Sequence, residues 1–523
     1  MAPKKGGTTH QKLIDELVEK RKQVELGGGQ RRIDSQHAKG KLTAHERIEK
    51  IFDKGTFREI GSYWSHRHTD FGMDQKVFEG DGVIVGYGKV DGRMVCAYFQ
   101  DFTILGGSYS EVHGQKVAQL LDLAMNTGAP VIGIMDSAGA RIQEGVYSLG
   151  AFAELFWRNT QASGVIPQIS VMVGPCAGGS VYSPGLTDFV IMTKESSYMF
   201  ITGPKVIETV TREQVDFESL GGAMVHNSVS GVAHFAADDE DHAFELTRKL
   251  LGYLPSSNKE SPPSLKPKDD PWRKEKALNT IVPTDPSVSY DVNQVVELIF
   301  DKGSCLPVHQ HFARNASVGF ARLHGQTVAY VANQPMEKAG VLDINAADKI
   351  ARFVRFSDAF NIPIITFVDT PGFMPGVNQE HSGIIRHGAK IVYAYSEATV
   401  PKISVILRKA YGGAYIVMSC KHIRADMVYA WPTAEVAVMG AEGAVNILYA
   451  RKLKEMENPE KEKAKLLKEF RDKFAKPYYV AASGHVDEVI IPDETRPRLI
   501  AALELLQDKD VTSPGKKHGN MPL

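Results

Sequence analysis

Two glycine pairs in this chain stand where backbone amides can stabilise negative charge. Gly178-Gly179 and Gly412-Gly413 each follow an apolar run of the kind that forms a buried strand. A glycine pair in that place lets the backbone turn sharply and leaves N–H groups without partners at the start of a helix. Such N–H groups bind anions and developing oxyanions. The pattern therefore predicts an oxyanion hole at each pair.

The residue after each pair differs between the two places. Ser180 follows the first pair, whereas Ala414 follows the second. Backbone donors, rather than a hydroxyl, are therefore what the two places share. A serine hydrolase with Ser180 as its nucleophile is an alternative, although the surrounding residues do not form a G-x-S-x-G motif. A serine that only begins a helix is the other alternative.

The chain repeats its order of motifs at long range. Asp136 follows the apolar run 131–135 and Asp369 follows the run 364–368, an offset of 233 (369 − 136). The glycine pairs are offset by 234 (412 − 178). The common order of strand, Asp-rich turn, helix, strand and glycine turn predicts two homologous halves. Alternating strands and helices predict an α/β fold, with a parallel sheet covered by helices in each half and both aspartates at the ligand-binding edge.

Composition excludes several classes of protein. The chain has 523 residues, 43% apolar and 24% charged, with a net charge of −1. That charge gives no argument for a nucleic-acid partner or for binding to anionic membranes. The four cysteines, Cys96, Cys176, Cys305 and Cys420, are widely separated and form no C-x-x-C. Their spacing excludes a zinc ribbon and argues against a disulfide scaffold.

The sequence predicts no segment that spans a membrane. Residues 1–7 are basic, but no apolar stretch follows them as it does in a secretory signal. No run of about 18 apolar residues occurs. Together with unpaired cysteines, these features predict a cytoplasmic protein without direct membrane insertion.

Regular elements between the motifs are predicted from periodicity and turn residues. Residues 10–25 form an amphipathic helix, and Thr43 with Glu46 forms a capping box for a helix to about residue 52. A helix is expected directly after Gly106-Gly107-Ser108. The remaining predictions are hairpins at 83–99 and 317–332, strands at 131–135, 169–173, 189–192 and 198–201, a helix at 345–360 and a charged helical excursion at 450–474.

A change in composition marks the predicted domain boundary. Residues 254–276 are rich in proline, lysine and aspartate. The predicted domains are accordingly 1–262 and 279–523, joined by a linker at 263–278.

Several charged side chains admit both a functional and a structural interpretation. Arg141 follows a glycine turn at a strand end, where it either meets a ligand phosphate or carboxylate or pairs with Glu144. Arg386 in the second half is a weaker case of the same kind. Lys39 and Lys41 precede the capped helix, and either hold a phosphate or belong to a solvated loop.

Two further patterns point to other chemistries but lack the residues these need. Residues 369–372 match the D-x-x-G switch of GTPases, yet the chain has no G-x-x-x-x-G-K-[ST] motif. His66 with His68, and His309 with His311, are spaced like metal ligands but have no acidic cluster nearby. Neither a nucleotide site nor a metal site is predicted.

Seven longer motifs, spread over nearly the whole chain, together carry a family resemblance. They are DSAGARIQEG (136–145), GPCAGG (174–179), FITGP (200–204), VANQP (331–335), KAYGGAY (409–415), AWPTAE (430–435) and VMGAEGA (438–444). With them the chain resembles the carboxyltransferase subunits of biotin-dependent acyl-CoA carboxylases. The pattern is similar to propionyl-CoA carboxylase β subunits, the carboxyltransferase subunit of transcarboxylase and methylmalonyl-CoA decarboxylase α subunits.

The resemblance implies a fold, an assembly and a mechanism. The fold is two homologous crotonase-like (ββα-superhelix) domains, and the assembly is a homohexamer, a trimer of dimers, in which the first half of one subunit faces the second half of its partner. Carboxybiotin loses CO2, the resulting biotin enolate removes the α-proton of an acyl-CoA, and the thioester enolate captures CO2. By the family pattern, Gly178 and Gly179 serve the thioester, whereas Gly413 and Ala414 serve the biotin ureido oxygen.

The resemblance also implies the remaining site residues and the partners. The acyl-CoA contacts are Ala138, Gly139, Arg141, Tyr182, Gly372, Phe373 and Ile416, and the biotin contacts are Gly412 and Tyr415. Biotin is carried on a separate subunit, the biotin carboxyl carrier, and ATP is used by a separate biotin carboxylase, so this chain needs neither a metal nor a biotin-attachment sequence.

The acyl preference and the direction of transfer both stay open. Ile416 stands where propionyl-preferring relatives commonly have Asp. An aliphatic residue there is similar to enzymes that accept acetyl-CoA, and also to transcarboxylase and decarboxylase members. The reaction is expected to carboxylate propionyl-CoA or acetyl-CoA. The alternative is transfer of the carboxyl group in the opposite direction, from methylmalonyl-CoA to biotin, as in a decarboxylase or a transcarboxylase.

Overall fold

The computed structural model describes residues 9–454, 458–474 and 476–522. The chain divides into two compact units, Met1–Gly252 with Ser256–Lys259, and Tyr253–Pro255 with Glu260–Leu523. The basic residues 1–7 lie outside the described residues. The segment 263–278, predicted as a linker, belongs to the second unit, where Arg322 and Thr327 both donate hydrogen bonds to the Pro263 carbonyl.

The first unit is a mixed sheet with helices around it. Its sheet has the order β1-β2-β3-β4-β5-β7-β9, antiparallel from β1 to β3 and parallel from β3 onward, and β6 pairs separately with β8. The strands are β1 (Arg58–Ile60), β2 (Val83–Val90), β3 (Arg93–Gln100), β4 (Val131–Met135), β5 (Gln168–Met172), β6 (Pro175–Ala177), β7 (Phe189–Thr193), β8 (Tyr198–Phe200) and β9 (Phe235–Ala237). The helices are α1 (Thr9–Glu25), α2 (Gln30–His37), α3 (Ala44–Ile51), α4 (Glu111–Thr127), α5 (Val146–Ala162), α6 (Tyr182–Leu186), α7 (Pro204–Thr211), α8 (Phe217–Gly221), α9 (Ala223–Ser228) and α10 (Glu240–Leu251).

The second unit repeats this arrangement. Its sheet has the order β10-β11-β12-β13-β14-β15-β17, with β16 added beside the end of β14, and it is antiparallel from β10 to β12 and parallel afterwards. The strands are β10 (Leu306–Val308), β11 (Ala316–Leu323), β12 (Gln326–Asn333), β13 (Ile364–Thr370), β14 (Lys402–Tyr411), β15 (Met427–Ala430), β16 (Glu435–Ala437) and β17 (Glu488–Val489). The helices are α11 (Leu278–Ile281), α12 (Val292–Ile299), α13 (Ile344–Ala359), α14 (Val377–His381), α15 (Ile384–Glu397), α16 (Gly412–Val417), α17 (Ala441–Leu448), α18 (Ala450–Lys454), α19 (Pro459–Phe474), α20 (Pro477–Ala482) and α21 (Thr495–Leu505).

Largely apolar runs explain why the central strands lie inside, although β14 also carries Lys402, Arg408 and Lys409. Every residue of β4, β5, β7, β13 and β14 is buried. Parallel strands covered by helices on both faces have this composition, whereas a half-exposed strand alternates polar and apolar residues. The two homologous α/β halves predicted from the repeat are confirmed.

Most local predictions are confirmed, and one helix begins later than expected. Thr43 and Glu46 form both hydrogen bonds of a capping box at α3. The helix expected directly after Gly106-Gly107-Ser108 begins at Glu111, because Gly106 and Gly107 have positive φ angles and Ser110 caps the helix through the N–H of His113. The charged run 450–474 is helical in its described parts, α18 and α19.

The same unusual loop follows the second hairpin strand in each unit. Leu105, Gly106 and Gly107 all have positive φ angles, as do the three residues 233 positions later (338 − 105), Lys338, Ala339 and Gly340. A Cβ on Gly107 would lie 2.4 Å from the Asp136 carbonyl oxygen, and one on Gly340 would lie 2.6 Å from that of Asp369. The left-handed loop lets the backbone pass directly over the end of the neighbouring strand in both units.

A buried histidine makes the stability of the first unit dependent on pH. His113 in α4 is fully buried and packs against Tyr109, with the ring centroids 4.2 Å apart. Burial, and then the charges of Arg141 and Lys116, hold the pKa of His113 well below its ordinary value of 6.5. The unfolded chain therefore takes up a proton below pH 6.5 that the folded chain does not.

We expect this stabilisation to be complete above about pH 6.5 and to decline as the pH falls, by about 1.4 kcal/mol per pH unit. His113→Phe should remove that decline, so that calorimetry finds a smaller drop in unfolding temperature between pH 7.5 and 5.5 in the variant than in the wild type. Replacement of the exposed His10 of α1 by Phe is the control. Equal drops in His113→Phe and wild type would contradict the assignment.

Candidate active site

The first glycine turn begins where β6 ends. Gly178 has a φ of 63°, in the left-handed region, and opens a short 3-10 helix, Gly178–Val181, that leads into α6. The first N–H groups of a helix have no acceptor within it, so those of the turn are available to a ligand. Gly139 lies beside the turn, because a Cβ on it would be 3.2 Å from the Ala177 carbonyl oxygen. Ala138 is fixed next to Gly139 by a 2.9 Å hydrogen bond from its N–H to the Gly106 carbonyl.

The second glycine turn begins where β14 ends. Gly412 has a φ of 57° and is the first residue of α16, so the N–H groups of Gly413 and Ala414 also lie in the first turn of a helix. The nearest atom to a Cβ built on Gly413 is Cε2 of Phe373, at 4.0 Å. The predicted residues Gly412, Gly413, Ala414 and Phe373 are thus brought together.

An aromatic ring supports each turn from behind. A Cβ on Gly179 would lie 3.5 Å from the ring of Phe152, which stacks on Tyr109 with the centroids 4.1 Å apart. Phe373 has the same place behind Gly413, and its ring also packs against Gly388 of α15. Tyr182, the first residue of α6, is half-exposed and packs against Phe156.

The loops beside the two turns make the same hydrogen bonds. The Gly139 N–H donates to Ser137 Oγ at 3.1 Å, and the Gly372 N–H donates to Thr370 Oγ1 at 3.3 Å. The Gly139 carbonyl accepts from Tyr109, and the Gly372 carbonyl accepts from Leu342. Gly139 and Gly372 are therefore equivalent residues, each fixed at both its N–H and its carbonyl.

A large apolar cavity opens beside the second turn. It has a volume of about 1040 Å³, and Gly412, Gly413, Tyr415 and Ile416 form one part of its wall. The remainder comes mainly from β16 and the helices after it, with Val436, Val438, Met439, Ala444, Ile447, Leu448, Tyr479 and Val480 among the lining residues. The motif 438–444 thus serves as cavity wall. The cavity is large enough for a drug-sized organic group, and the first two residues of α16, Gly412 and Gly413, line it.

A buried ion-pair network fixes the chain next to the first turn. Asp136, directly after β4, contacts Lys41 Nζ at 2.6 Å and Arg47 Nη2 at 3.0 Å, and Arg47 also binds Glu240 at 2.7 Å. Burial lowers the pKa of Lys41 although its contact with Asp136 raises it. Lys41 therefore neither holds a phosphate nor lies in a solvated loop, because its ammonium group is buried against Asp136.

The second unit has an equivalent aspartate with a different cation. Asp369 accepts a 3.0 Å hydrogen bond from Arg408 Nε and a 3.1 Å hydrogen bond from the Lys409 N–H. Burial raises the pKa of Asp369, and the charges of Arg408 and Lys409 oppose that rise. Removal of one partner from a buried pair of this kind costs roughly 3–5 kcal/mol, because the other charge is left without compensation.

Arg141 has the structural role that the sequence left open. Its guanidinium group is buried and contacts Glu144 at 3.1 Å and Asp81 at 2.5 Å, and it also donates to Ser108. The ion pair with Glu144 is therefore present. The partner Asp81, 60 positions away, was not predicted from the sequence.

The alternative chemistries find no support in the described part of the chain. Ser180 Oγ is buried and has no hydrogen-bond partner, so no base is placed to activate it as a nucleophile. The ring of His66 is occupied by a hydrogen bond between its Nε2 and the Lys76 carbonyl, at 3.0 Å. Among the described residues, no group of three or more His, Cys, Asp and Glu side chains is arranged to hold a metal ion. None of the described helices has the length and apolar composition of a membrane span.

The two glycines of the second turn should respond differently to alanine. A Cβ on Gly412 would lie 3.0 Å from the Val438 carbonyl oxygen, and its left-handed φ disfavours any L-residue by about 1–2 kcal/mol. Gly413 has no positive φ and has space for a Cβ. We expect Gly412→Ala to lower the unfolding temperature and Gly413→Ala to leave it unchanged or raise it. Equal effects of the two substitutions in calorimetry would contradict the assigned turn geometry.

The chain is similar to known proteins over nearly its full length. The chain matches the Carboxyl transferase domain family over residues 35–521. It is 57% identical over 515 residues to the propionyl-CoA carboxylase carboxyltransferase subunit of Haloferax mediterranei, covering 98% of this chain and 100% of the relative. It is 53% identical to the methylmalonyl-CoA decarboxylase subunit alpha of Veillonella parvula, with the same coverage. The crystal structure of transcarboxylase 12S superposes with a TM-score of 0.97 at 49% identity, covering 99% of both chains. The protein therefore belongs to the carboxyl transferase domain family.

Proposed function

We propose that this chain is the carboxyltransferase component of a biotin-dependent acyl-CoA carboxylase. It transfers the carboxyl group of carboxybiotin to the α-carbon of propionyl-CoA, and also of acetyl-CoA, to give methylmalonyl-CoA or malonyl-CoA. The observation that carries the proposal is the pair of equivalent glycine turns, each of which offers backbone N–H groups at the start of a helix. Both reactants of such a transfer develop negative charge on an oxygen, so two sites of this kind are needed.

The first turn suits the thioester. The N–H groups of Gly178 and Gly179 stabilise the thioester oxygen as the α-carbon loses its proton and enolate character develops. Ala138 and Gly139 form the neighbouring wall, and Tyr182 lies at the exposed edge. The buried guanidinium of Arg141 contributes by fixing the loop that carries Ala138 and Gly139 rather than by meeting a phosphate.

The second turn and its cavity suit biotin. The residues present fit that group because an apolar cavity of about 1040 Å³ is lined by Gly412 and Gly413, the first two residues of α16. Gly412 and Tyr415 would hold the bicyclic ring, and the N–H groups of Gly413 and Ala414 would receive the ureido oxygen. When bound, carboxybiotin supplies the carboxyl group and the base, and in this proposal it is carried on a separate subunit. Gly372 fixes the loop that places Phe373 behind the turn.

The acyl group is selected by apolar contact. Ile416 is half-exposed on the wall of the biotin cavity next to the second turn. In this proposal the acyl chain reaches Ile416 because its α-carbon must approach the carboxyl group of carboxybiotin. An aliphatic side chain offers no polar group that would discriminate between acyl chains. One methylene in such a pocket is worth about 1–3 kcal/mol, so we expect both propionyl-CoA and acetyl-CoA to react, with rates that differ by about 10-fold to 200-fold.

A second candidate function uses the same site in the opposite direction. The similarity to a methylmalonyl-CoA decarboxylase subunit and to transcarboxylase 12S favours transfer from methylmalonyl-CoA to biotin as the alternative. The two functions differ in the partner proteins rather than in the chemistry of the glycine turns.

The proposed partners and location follow from the family and from the cysteines. Transcarboxylase 12S assembles as a hexamer and belongs to a multienzyme core. By analogy, this chain forms a homohexamer, a trimer of dimers, that works with a biotin carboxylase and a biotin carboxyl carrier subunit. All four cysteines are free thiols in the structure, which suits a reducing compartment such as the cytoplasm.

The test is carboxyl transfer by the assembled protein without ATP or partner subunits. Methylmalonyl-CoA and free biotin should give propionyl-CoA and carboxybiotin, because the carboxyl group moves to the biotin nitrogen as that nitrogen's proton moves to the α-carbon. Malonyl-CoA should react as well, and the ratio of the two values of kcat/KM measures the acyl preference.

Two outcomes would contradict the proposal. The first is the absence of carboxybiotin with free biotin and also with an added biotinylated carrier domain. The second is CoA-ester hydrolysis that Ser180→Ala abolishes, which would instead support the serine hydrolase. For the carboxyltransferase we expect Ser180→Ala to retain most of the transfer activity.

A further inference from the structure

The two buried aspartates occupy equivalent places but bind different cations. The Asp136 N–H donates to Gln100 Oε1 at 2.9 Å, and the Asp369 N–H donates to Asn333 Oδ1 at 3.2 Å. Both aspartates and both amides are 233 positions apart (369 − 136 and 333 − 100). Asp136 pairs with Lys41, which precedes α3, and with Arg47 of α3. Asp369 pairs instead with Arg408 of β14. The two units therefore share the carboxylate and not its partners.

Asp136 bears directly on the segment that leads into the first turn. A Cβ on Gly174 would lie 2.0 Å from Asp136 Oδ1 and 2.7 Å from Lys41 Nζ, so the ion pair fills the space of a side chain at position 174. The next residue along, Ser137, donates its N–H to the Pro175 carbonyl at 2.9 Å. Gly174 and Pro175, shortly before Gly178, are thus held by the residues that follow β4.

Asp369 contacts the corresponding segment of the second unit. The ladder between β13 and β14 changes register between Val368 and Thr370, at the position of Asp369. At this irregularity the Asp369 carboxylate accepts the N–H of Lys409, three residues before Gly412. Arg408 stands at the position equivalent to Gly174 (408 − 174 = 234). Its side chain binds Asp369, as Arg47 binds the equivalent Asp136 in the first unit.

We propose that Asp136 and Asp369 are positioning residues, each of which holds the N–H donors of its own glycine turn in the orientation that an oxyanion requires. This inference rests on the proposed function for its effect on rate, but not for its effect on the turns. The surrounding cations neutralise each carboxylate, so it fixes the backbone without repelling the charge that develops on the substrate. Both carboxylates are fully buried, so neither is placed to touch a reactant.

Two other aspartates, at the opposite ends of the strands of the same sheets, serve as matched controls. Asp53 accepts the N–H groups of Asp91 and Gly92 at the hairpin turn of the first unit and pairs with Arg248. Asp301 accepts the N–H groups of His324 and Gly325 at the hairpin turn of the second unit and pairs with Arg496. Each control thus binds backbone amides and an arginine, as Asp369 does, but at the other end of the strands.

The experiment measures the turns by hydrogen–deuterium exchange in the full-length protein. Asp136→Asn should speed exchange in residues 174–182, and Asp369→Asn in residues 408–416, by about 10-fold or more, whereas Asp53→Asn and Asp301→Asn should leave both segments unchanged. In the transfer assay the first two variants should lose kcat on the order of 10²-fold with a smaller change in KM. The controls should stay within about threefold of the wild type, well inside the loss expected from a misplaced turn.

Exchange and rate together separate this inference from the proposed function. If the turns exchange no faster in Asp136→Asn and Asp369→Asn than in the controls, the positioning role is wrong even when carboxyl transfer is confirmed. If the wild type transfers no carboxyl group, the proposed function is wrong, and the exchange data still decide the positioning role. Should an Asn variant fail to fold, the same comparison can be made with Arg47→Lys and Arg408→Lys. Their controls are Arg248→Lys and Arg496→Lys, and a smaller increase in exchange is expected.

Discussion

Each half of this protein depends on a left-handed glycine at the end of a strand. Gly178 and Gly412 turn the chain so sharply that the following N–H groups begin a helix without acceptors of their own. Helix dipoles and unpaired amides make such a turn a binding place for negative charge, but only if it cannot relax toward another acceptor. The sheets, the rings of Phe152 and Phe373 and the buried aspartates all keep the turns from relaxing in this way.

The two halves keep the backbone of the turn and change the side chains around it. Asp136 is neutralised by residues from outside its sheet, whereas Asp369 is neutralised by Arg408 of the adjoining strand. An apolar cavity of about 1040 Å³ lies beside the turn at Gly412. The repeated fold thus has two equivalent turns with different surroundings. Under the proposed function this difference is what a transfer between two different enolates needs.

The sequence was sufficient where the signal is local or repeated. Hairpins, the Thr43 capping box, the buried strands and the family are all confirmed, because each depends on neighbouring residues or on motifs that occur intact. It was insufficient where the partner is distant. The burial of Lys41 depends on Asp136, 95 positions away, and the wall of the cavity beside Ile416 comes from residues 436–485. The late start of α4 depends on left-handed backbone at Gly106 and Gly107, which glycine permits but does not require.

The rate of carboxyl transfer in Gly179→Val and Gly413→Val tests the two-turn mechanism most directly. A Cβ at these positions faces Phe152 at 3.5 Å and Phe373 at 4.0 Å, so the added methyl groups of valine must move the turn away from its supporting ring. We predict a loss on the order of 10²–10³ in kcat for each variant, while the matching alanine variants, which fit the available space, lose much less. Turnover close to that of the wild type in both valine variants would contradict the mechanism.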